Sequence, residues 1–345
     1  MGCDHQGRGN PRAVRRTTVL VRRAPATSVT TLITKSRKEK SVFAPPQLVL
    51  AEVFAELPSK FRSKPLSSER ADSGRSVPVA GCFLEGPSFD RDGCLYCTDI
   101  PYGRIFRMSP EGEFELVIEY DGEPNGLKIH RDGTIYITDY KNGLMRLDPR
   151  SGRIETLFSR YKAEHFKGVN DLFFASNGDL YFTDQGQTGL QDPTGRVYRL
   201  RAGGRLELLM DCMPSPNGLV LDGKENTLYV AATRGNAVWR LPLLPDGSVS
   251  RTGIFIQLSG GRGPDGMAMN EEDGLAVAHP DMGAVWIFNH RGEPTHRVQS
   301  PRSEVVTNVA YGGPDRRTLY IVDSEAGCIL RARLPVAGRA MYSHS

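Results

Sequence analysis

No stretch of this 345-residue chain approaches the roughly 20 consecutive apolar residues that cross a bilayer as a helix, so a helical membrane span is excluded. The six cysteines, Cys3, Cys82, Cys94, Cys97, Cys212 and Cys328, follow no regular spacing, which argues against a disulfide scaffold. Cys94 and Cys97 form a C-x-x-C. In a strand, residues three apart point to opposite faces, so ordinary strand thiols are expected rather than a metal or redox pair. A reducing, cytoplasmic compartment follows as the default. Acids are nearly missing from the first 40 positions. Only Asp4 and Glu39 stand against ten Lys and Arg, a local charge of +8. Beyond residue 40 there are 34 basic and 38 acidic residues, so the body carries −4 although the whole chain reads +4. That body has no basic stripe for nucleic acid, and a small-molecule partner suits it better. Nothing in the sequence fixes an oligomeric state.

Residues 1–46 are rich in Arg, Ser and Thr, have no sustained amphipathic period and end in Ala44-Pro45-Pro46. They read as a disordered basic extension, or as the product of a start codon assigned too early. Three targeting readings stay open. Arg15-Arg16 resembles a twin-Arg signal, interrupted by Arg22-Arg23. The Arg- and Ser-rich, acid-poor composition resembles a transit peptide. Met1-Gly2-Cys3 offers acylation, with Gln6 where a myristoylation pattern wants Ser or Thr.

Against these absences stands one pattern that recurs six times. Its copies start at Glu85 (EGPSFDRDGCLYCTD), Asn125 (NGLKIHRDGTIYITD), Asn170 (NDLFFASNGDLYFTD), Asn217 (NGLVLDGKENTLYVAAT), Asp265 (DGMAMNEEDGLAVAHP) and Asn308 (NVAYGGPDRRTLYIVDS). Successive starts lie 40, 45, 47, 48 and 43 residues apart. A period of that size, built of short apolar runs between Asp-Gly and Asn-Gly turns, predicts one four-stranded blade per copy. The fold expected is all-β, a six-bladed propeller over residues 47–340 with a central metal-binding channel. The run QLVLAEVF, residues 47–54, is the candidate N-terminal strand that completes the last blade; a short amphipathic helix is the alternative. Blade three carries a long loop after its second strand, TDQGQTGLQDPTG, placed at one end of the channel.

Equivalent positions in all blades meet around one axis. The sequence therefore predicts a ring of two carboxylates, Glu85 and Asp265, and four amides, Asn125, Asn170, Asn217 and Asn308. Any one Asn-Gly or Asp-Gly is an ordinary turn signal. Six at equivalent positions, with two carboxylates in one ring, point to a cation that relieves their repulsion. All-oxygen ligation favours Ca²⁺, then Mg²⁺ or Mn²⁺, and least Zn²⁺. Hairpin geometry puts the ends of the second strands, Asp99, Asp139, Asp184, Thr233, His279 and Asp323, near the ring. His279 is there either as a structural histidine or within reach of substrate, as a proton shuttle.

From Glu85 to about Leu334 the chain resembles the SMP-30/gluconolactonase/LRE-like family. The matching motifs are Glu85-Gly86-Pro87, Asn170-Asp171, Pro216-Asn217-Gly218 and Pro264-Asp265-Gly266. The resemblance implies a divalent metal, usually calcium, held by Glu85, Asn170, Asn217 and Asp265, and hydrolysis of a lactone or related ester. Asp265 is then the general base or, second, the nucleophile, and Asn125 and Asn308 orient substrate or metal-bound water. Phosphotriester cleavage at the same site and a non-catalytic propeller that binds calcium or a partner are the rival readings. Sugar-lactone members of the animal type place an Arg two positions before the blade-three Asn. Here Gly168 stands there, in Lys167-Gly168-Val169-Asn170, which puts aldonolactone recognition in question but not metal binding.

Overall fold

The computed structural model describes residues 44–62 and 81–345. The expected disordered extension thus falls almost wholly outside the described residues. Among the described residues no helix is long and apolar enough to cross a membrane.

Six blade sheets follow one another along the chain, with a two-stranded ribbon, Arg160–Tyr161 with Glu164–His165, between blades two and three. Within each blade the strands are in sequence order except for N-terminal strands added to the outer edges of blades five and six. Blade one spans Leu84–Phe89, Leu95–Asp99, Arg104–Met108 and Phe114–Glu119. Blade two runs from Pro124–Ile129 to Arg153–Phe158, blade three from Val169–Phe174 to Leu206–Met213, and blade four from Pro216–Leu221 to Gly253–Gln257. Blade five holds Met267–Met269, Leu275–His279, Ala284–Phe288 and Pro294–Gln299, and blade six Val306–Gly312, Thr318–Asp323 and Cys328–Arg333. The inner hairpins close over Asx turns. In blade one, Asp90 Oδ1 accepts from the amides of Asp92 (3.0 Å) and Cys94 (2.8 Å), and Gly93 takes φ +80°.

The strands are apolar on both faces because each sheet packs between two others. Six hydrophobic clusters result, one per blade junction. Cys94 lies in the cluster between blades one and two and Cys97 in that between blades six and one, so the C-x-x-C does split across the sheet. The described cysteines are free.

The ring closes through the N-terminal segment, in two pieces. Glu52–Glu56 pairs antiparallel with Cys328–Arg333 and supplies the missing fourth strand of blade six. Gln47–Leu50 instead runs parallel to Pro294–Gln299 as a fifth strand on blade five. The expected clasp QLVLAEVF is therefore divided at Ala51, whose amide donates to Gln299 O at 3.0 Å.

A feature with no counterpart in the repeat is the C-terminal tail, which visits all six blades on the hairpin face. Gly338 N donates to Arg316 O (2.7 Å) on blade six and Arg339 N to Met269 O (2.9 Å) on blade five. The Arg339 guanidinium donates to the carbonyls of Leu221 (3.3 Å), Asp222 (2.5 Å) and Gly223 (3.1 Å) on blade four. Tyr342 stacks on Phe174 of blade three, centroids 5.1 Å apart, and meets His130 of blade two edge-on at 5.0 Å. Ser343 Oγ donates to Phe89 O on blade one at 2.8 Å. The tail floors the channel beneath a mostly apolar cavity of about 50 Å³. Tyr342→Ala is expected to cost about 3 kcal/mol and lower the melting temperature by roughly 5 °C. An unchanged thermal melt would show that the tail is not docked in solution.

Candidate functional site

The inner strands all begin at the same end of the channel, and the backbone there is irregular. Near the start of the inner hairpin in five of the six blades the register shifts: after Glu85, Pro124, Val169, Pro216 and Val306. A bulge bends the strand and re-aims a side chain. Glu85, Asn125, Asn170 and Asn217 sit at these bulges. Asp265 precedes the short strand Met267–Met269, its amide donating to Ala278 O at 3.0 Å.

Hydroxyl bridges fix the bulges from the neighbouring blade. Thr98 donates to Asn125 O (2.7 Å), Thr138 to Asn170 O (2.6 Å) and Thr183 to Asn217 O (2.8 Å). Thr233 donates to Pro264 O (2.7 Å) and Ser324 to Leu84 O (2.7 Å), so the belt crosses from blade six back to blade one. Blade five has Ala278 in place of the threonine, and Gly266 N donates to Thr307 O (2.7 Å) across that junction. The main chain at each ring position is thus held from the adjacent blade, at the carbonyl of Asn125, Asn170 and Asn217 themselves and at the residue before Glu85, Asp265 and Asn308, which leaves the side chains for the channel.

In blade six the register departs from the sequence expectation. Pro124 and Val306 face Asp139 and Asp323, so the counterpart of Asn125 is Thr307, and Asn308 is one position further in. The other blades have Gly86, Gly126, Asp171, Gly218 and Gly266 at that inner position. Four glycines leave room for two side chains. A Cβ on Gly266 would lie 2.1 Å from Asn308 Cγ.

Asn308 and Asp171 use that room. Asn308 Nδ2 donates to Glu85 Oε2 at 2.8 Å and approaches Asp171 Oδ2 at 3.3 Å. Asn308 Oδ1 accepts from Val309 N (2.8 Å), which fixes the amide's orientation. Glu85 Oε2 also accepts from Gly86 N at 2.7 Å. Asp265 is hydrogen-bonded by the Asn217 side chain. Asn170 Nδ2 donates to Gln185 Oε1 (2.9 Å), and Gln185 Nε2 in turn to Ser215 Oγ (2.9 Å). That bond occupies the amide nitrogen of Asn170 and leaves the carbonyl oxygen as the atom able to ligate. Asn125 is half-buried at the ring.

The electrostatics of the carboxylates are coupled. Burial raises the Glu85 acid to about 7, with Asp171 adding to the rise and the Gly86 amide, Thr307 and Asn308 opposing it. Asp265 keeps an opening to the channel, yet desolvation by its surroundings, then Glu85 and Asp171, hold it well above the usual carboxylate range. Arg262 and the Asn217 amide pull in the other direction. Without a counter-charge these acids take up protons; a divalent cation supplies that charge. Among the described residues no trio of His, Cys, Asp or Glu gathers as a metal centre. The donors are instead carboxylates mixed with amide carbonyls, all oxygen, and that set fits a hard cation rather than zinc.

The ends of the second strands serve the loops. Asp99 accepts from Phe83 N (2.8 Å) and pairs with buried Arg104, Nε at 2.9 Å. Asp139 accepts from Tyr120 Oη (2.8 Å) and the amides of Glu123, Lys141 and Asn142. Asp184 accepts from Gly168 N (2.8 Å), and Asp323 from Ser300 Oγ (2.8 Å). His279 has both ring nitrogens engaged: Trp286 Nε1 donates to Nδ1 (3.2 Å), so Nε2 carries the proton toward Gly260 O (3.0 Å). Burial lowers its pKa, in keeping with a neutral ring. These groups lie at the ring's end of the channel, but their bonds hold loops. Gly168, at φ +142°, faces the Tyr140 ring; a Cβ there would come within 2.3 Å of it. Tyr140 fills the space into which a side chain at 168 would start. The Lys167 ammonium goes to Thr194 Oγ1 of the long blade-three loop.

Sequence reasoning missed Thr307, Gln185 and the channel role of Asp171. Gln185 lies in the long loop already singled out, and Asp171 directly follows a ring asparagine.

Residues 83–325 match the SMP-30/gluconolactonase/LRE-like region. The chain belongs to that family. Among curated members, lactonase drp35 of Staphylococcus aureus is 29% identical over 249 residues, covering 68% of this chain and 75% of the relative. Two solved structures share the propeller. One is described as a gluconolactonase of Xanthomonas campestris; it has a TM-score of 0.66 and 22% identity, covering 74% of this chain and 86% of that one. The other is a calcium-binding protein, regucalcin, of Agrobacterium tumefaciens; it has a TM-score of 0.69 and 21% identity, covering 87% and 98%. Within the SMP-30/gluconolactonase/LRE-like family, Glu85 through Asp265 all fall inside the matched region.

Proposed function

We propose that this chain is a metal-dependent lactonase, with calcium held by Glu85, Asn170, Asn217 and Asp265 and a small lactone as substrate. The observation that carries the reading is the convergence of two carboxylates with raised pKa values, Glu85 and Asp265, the second pushed up by the first and by Asp171, with oriented amides at one end of a closed-floored channel. Family membership and the lactonase named among its relatives support the reaction class. When bound, the cation supplies Lewis-acid polarisation of a carbonyl and keeps the carboxylates ionised.

The chain's own residues then have distinct tasks. Asp265, open to the channel, takes a proton from water; the water oxygen bonds to the acyl carbon, and the lactone C–O bond breaks. The proton returns to the leaving ring oxygen, so one water is added across the ester. Glu85 lies deeper, held by the Gly86 amide and Asn308, and serves binding rather than proton transfer. Gln185 orients Asn170 through its amide. Asn125 and Asn308 complete the ring beside substrate, Asn308 by fixing Glu85. His279, bonded on both nitrogens, stays within the reading as a residue that shapes the mouth at Gly260. The protein works in the cytoplasm as a small-molecule enzyme on this reading.

The substrate class is tested with aldonolactones, aliphatic lactones and an aryl phosphotriester, each assayed with calcium and with chelator. Chelator-sensitive hydrolysis of aliphatic lactones over aldonolactones is expected, since Tyr140 occupies the wall at Gly168. Hydrolysis of the phosphotriester alone would transfer the site to that chemistry. No hydrolysis of any substrate by calcium-loaded protein would leave a binding propeller.

A further inference from the structure

One step below the ring, each inner strand presents a residue paired with the second residue of the next strand, or with the third in blades four and six. These residues are Ser88, Lys128, Phe173, Val220, Ala268 and Ala310. Five are small or apolar, and Lys128 is the single charged member. All six line the channel cavity that the C-terminal tail floors. Lys128 Nζ donates to Leu127 O (3.1 Å), lies 3.5 Å from Pro87 O and 3.8 Å from Asp171 Oδ1. Its side chain is only 17% exposed. Arg339, the other cation at this cavity, points its guanidinium at the blade-four turn and Glu225. Arg262, near Asp265, is paired with Asp281 at 2.8 Å.

A partly buried ammonium among apolar neighbours needs a reason, because desolvating it costs free energy unless an opposite charge compensates. Asp171 is that charge, and through Asn308 it is linked to Glu85.

We infer that Lys128 sets the charge of the channel site: Glu85, Asp171 and Asp265 bring three negative charges, Lys128 returns one positive, and the net −2 complements a divalent cation. Lys128 is thus a positioning residue that acts through Asp171 and tunes the site against trivalent ions. The inference rests on the cation-binding reading of the ring. Removing the ammonium leaves −3, which favours a trivalent ion over a divalent one of similar size. At an effective dielectric of about 40, between a protein surface and water, and a separation of about 6 Å, one added unit of ion charge changes the preference on the order of ten-fold.

The test is calorimetric titration of the full chain with Ca²⁺ and with Tb³⁺, read as the ratio of the two affinities. Lys128→Met is expected to raise the Tb³⁺ preference about ten-fold. Lys128→Arg should stay within about two-fold of the starting ratio, because the charge is kept. Lys128→Met with Asp171→Asn should return toward it. If Lys128→Met does not fold, Asp171→Asn alone decides: its ratio should move about ten-fold toward Ca²⁺. An unchanged ratio in Lys128→Met, or in Asp171→Asn, overturns the inference while leaving the ring site intact. An unmutated protein that binds neither ion removes instead the reading on which it rests.

Discussion

Asp265→Asn is expected to lower lactone turnover by roughly 10²–10⁴ at saturating calcium, the usual contribution of a general base. The substitution keeps an oxygen donor of the same size, so calcium binding should weaken yet remain saturable. It also removes one of the mutually opposed acids, and the metal-free protein should become more stable rather than less. That opposite movement of activity and stability distinguishes a functional carboxylate from a packing residue. Glu85→Gln serves as the contrast. Held by Gly86 N and Asn308 Nδ2, Glu85 is a binding residue, and its variant should recover part of its activity at high calcium. Steady-state kinetics and calorimetry on both variants check this. Wild-type turnover in Asp265→Asn would take Asp265 out of the chemistry.

The second large effect is on stability as a function of pH. Glu85 and Asp265 have folded-state pKa values raised above those of an unfolded chain, by burial first, then by Asp171 for Glu85 and by Glu85 and Asp171 for Asp265. Groups of that kind stabilise the fold fully below the unfolded value, near 4.3, and the contribution is lost as pH rises through the folded value, about 7 for Glu85. Chelator-treated protein should therefore melt lower at pH 8 than at pH 5. Calcium competes with those protons, so its stabilisation should grow over the same interval. It reaches about 2.7 kcal/mol at a concentration a hundred-fold above Kd. His279 titrates with the opposite sign, since burial lowers it. The quantity to compare is therefore the difference between wild type and Glu85→Gln. A calcium effect equal at both pH values would contradict the coupling of proton and cation.

Much of the architecture was legible because propeller blades repeat chemistry as well as spacing. The T-D pairs at Thr98-Asp99, Thr138-Asp139 and Thr183-Asp184 recur because the threonine bridges to the next blade and the aspartate caps its own entry loop. The misplacement in blade six has a local cause. Its inner hairpin closes at Gly312 and Thr318, with five residues between, whereas in blade four Asp222 and Thr227 close over four. Counting back from the second strand then lands on Asn308 instead of Thr307. A turn one residue longer cannot be told from a strand one residue longer without the pairing. The aspartates at the strand ends were placed at the correct end of the channel, but they are tied up by loop amides and by Arg104, Tyr120 and Ser300 from outside the repeated pattern, a pairing the repeat does not signal. Lys128 and the C-terminal tail were unreadable for a related reason: each occurs once, and repetition was the source of the signal. The divided clasp at Ala51 reflects two edges available to one short segment, on blades five and six.

The central claim is that the ring binds a divalent cation and that lactone hydrolysis depends on it. The most direct measurement is a calcium titration of chelator-stripped full-length protein, following heat of binding and rate of lactone hydrolysis in parallel. The expected result is no turnover without calcium, one ion bound per chain, and a rate that rises along the binding isotherm. Turnover unaffected by chelation, or binding that saturates with no change in rate, would contradict it.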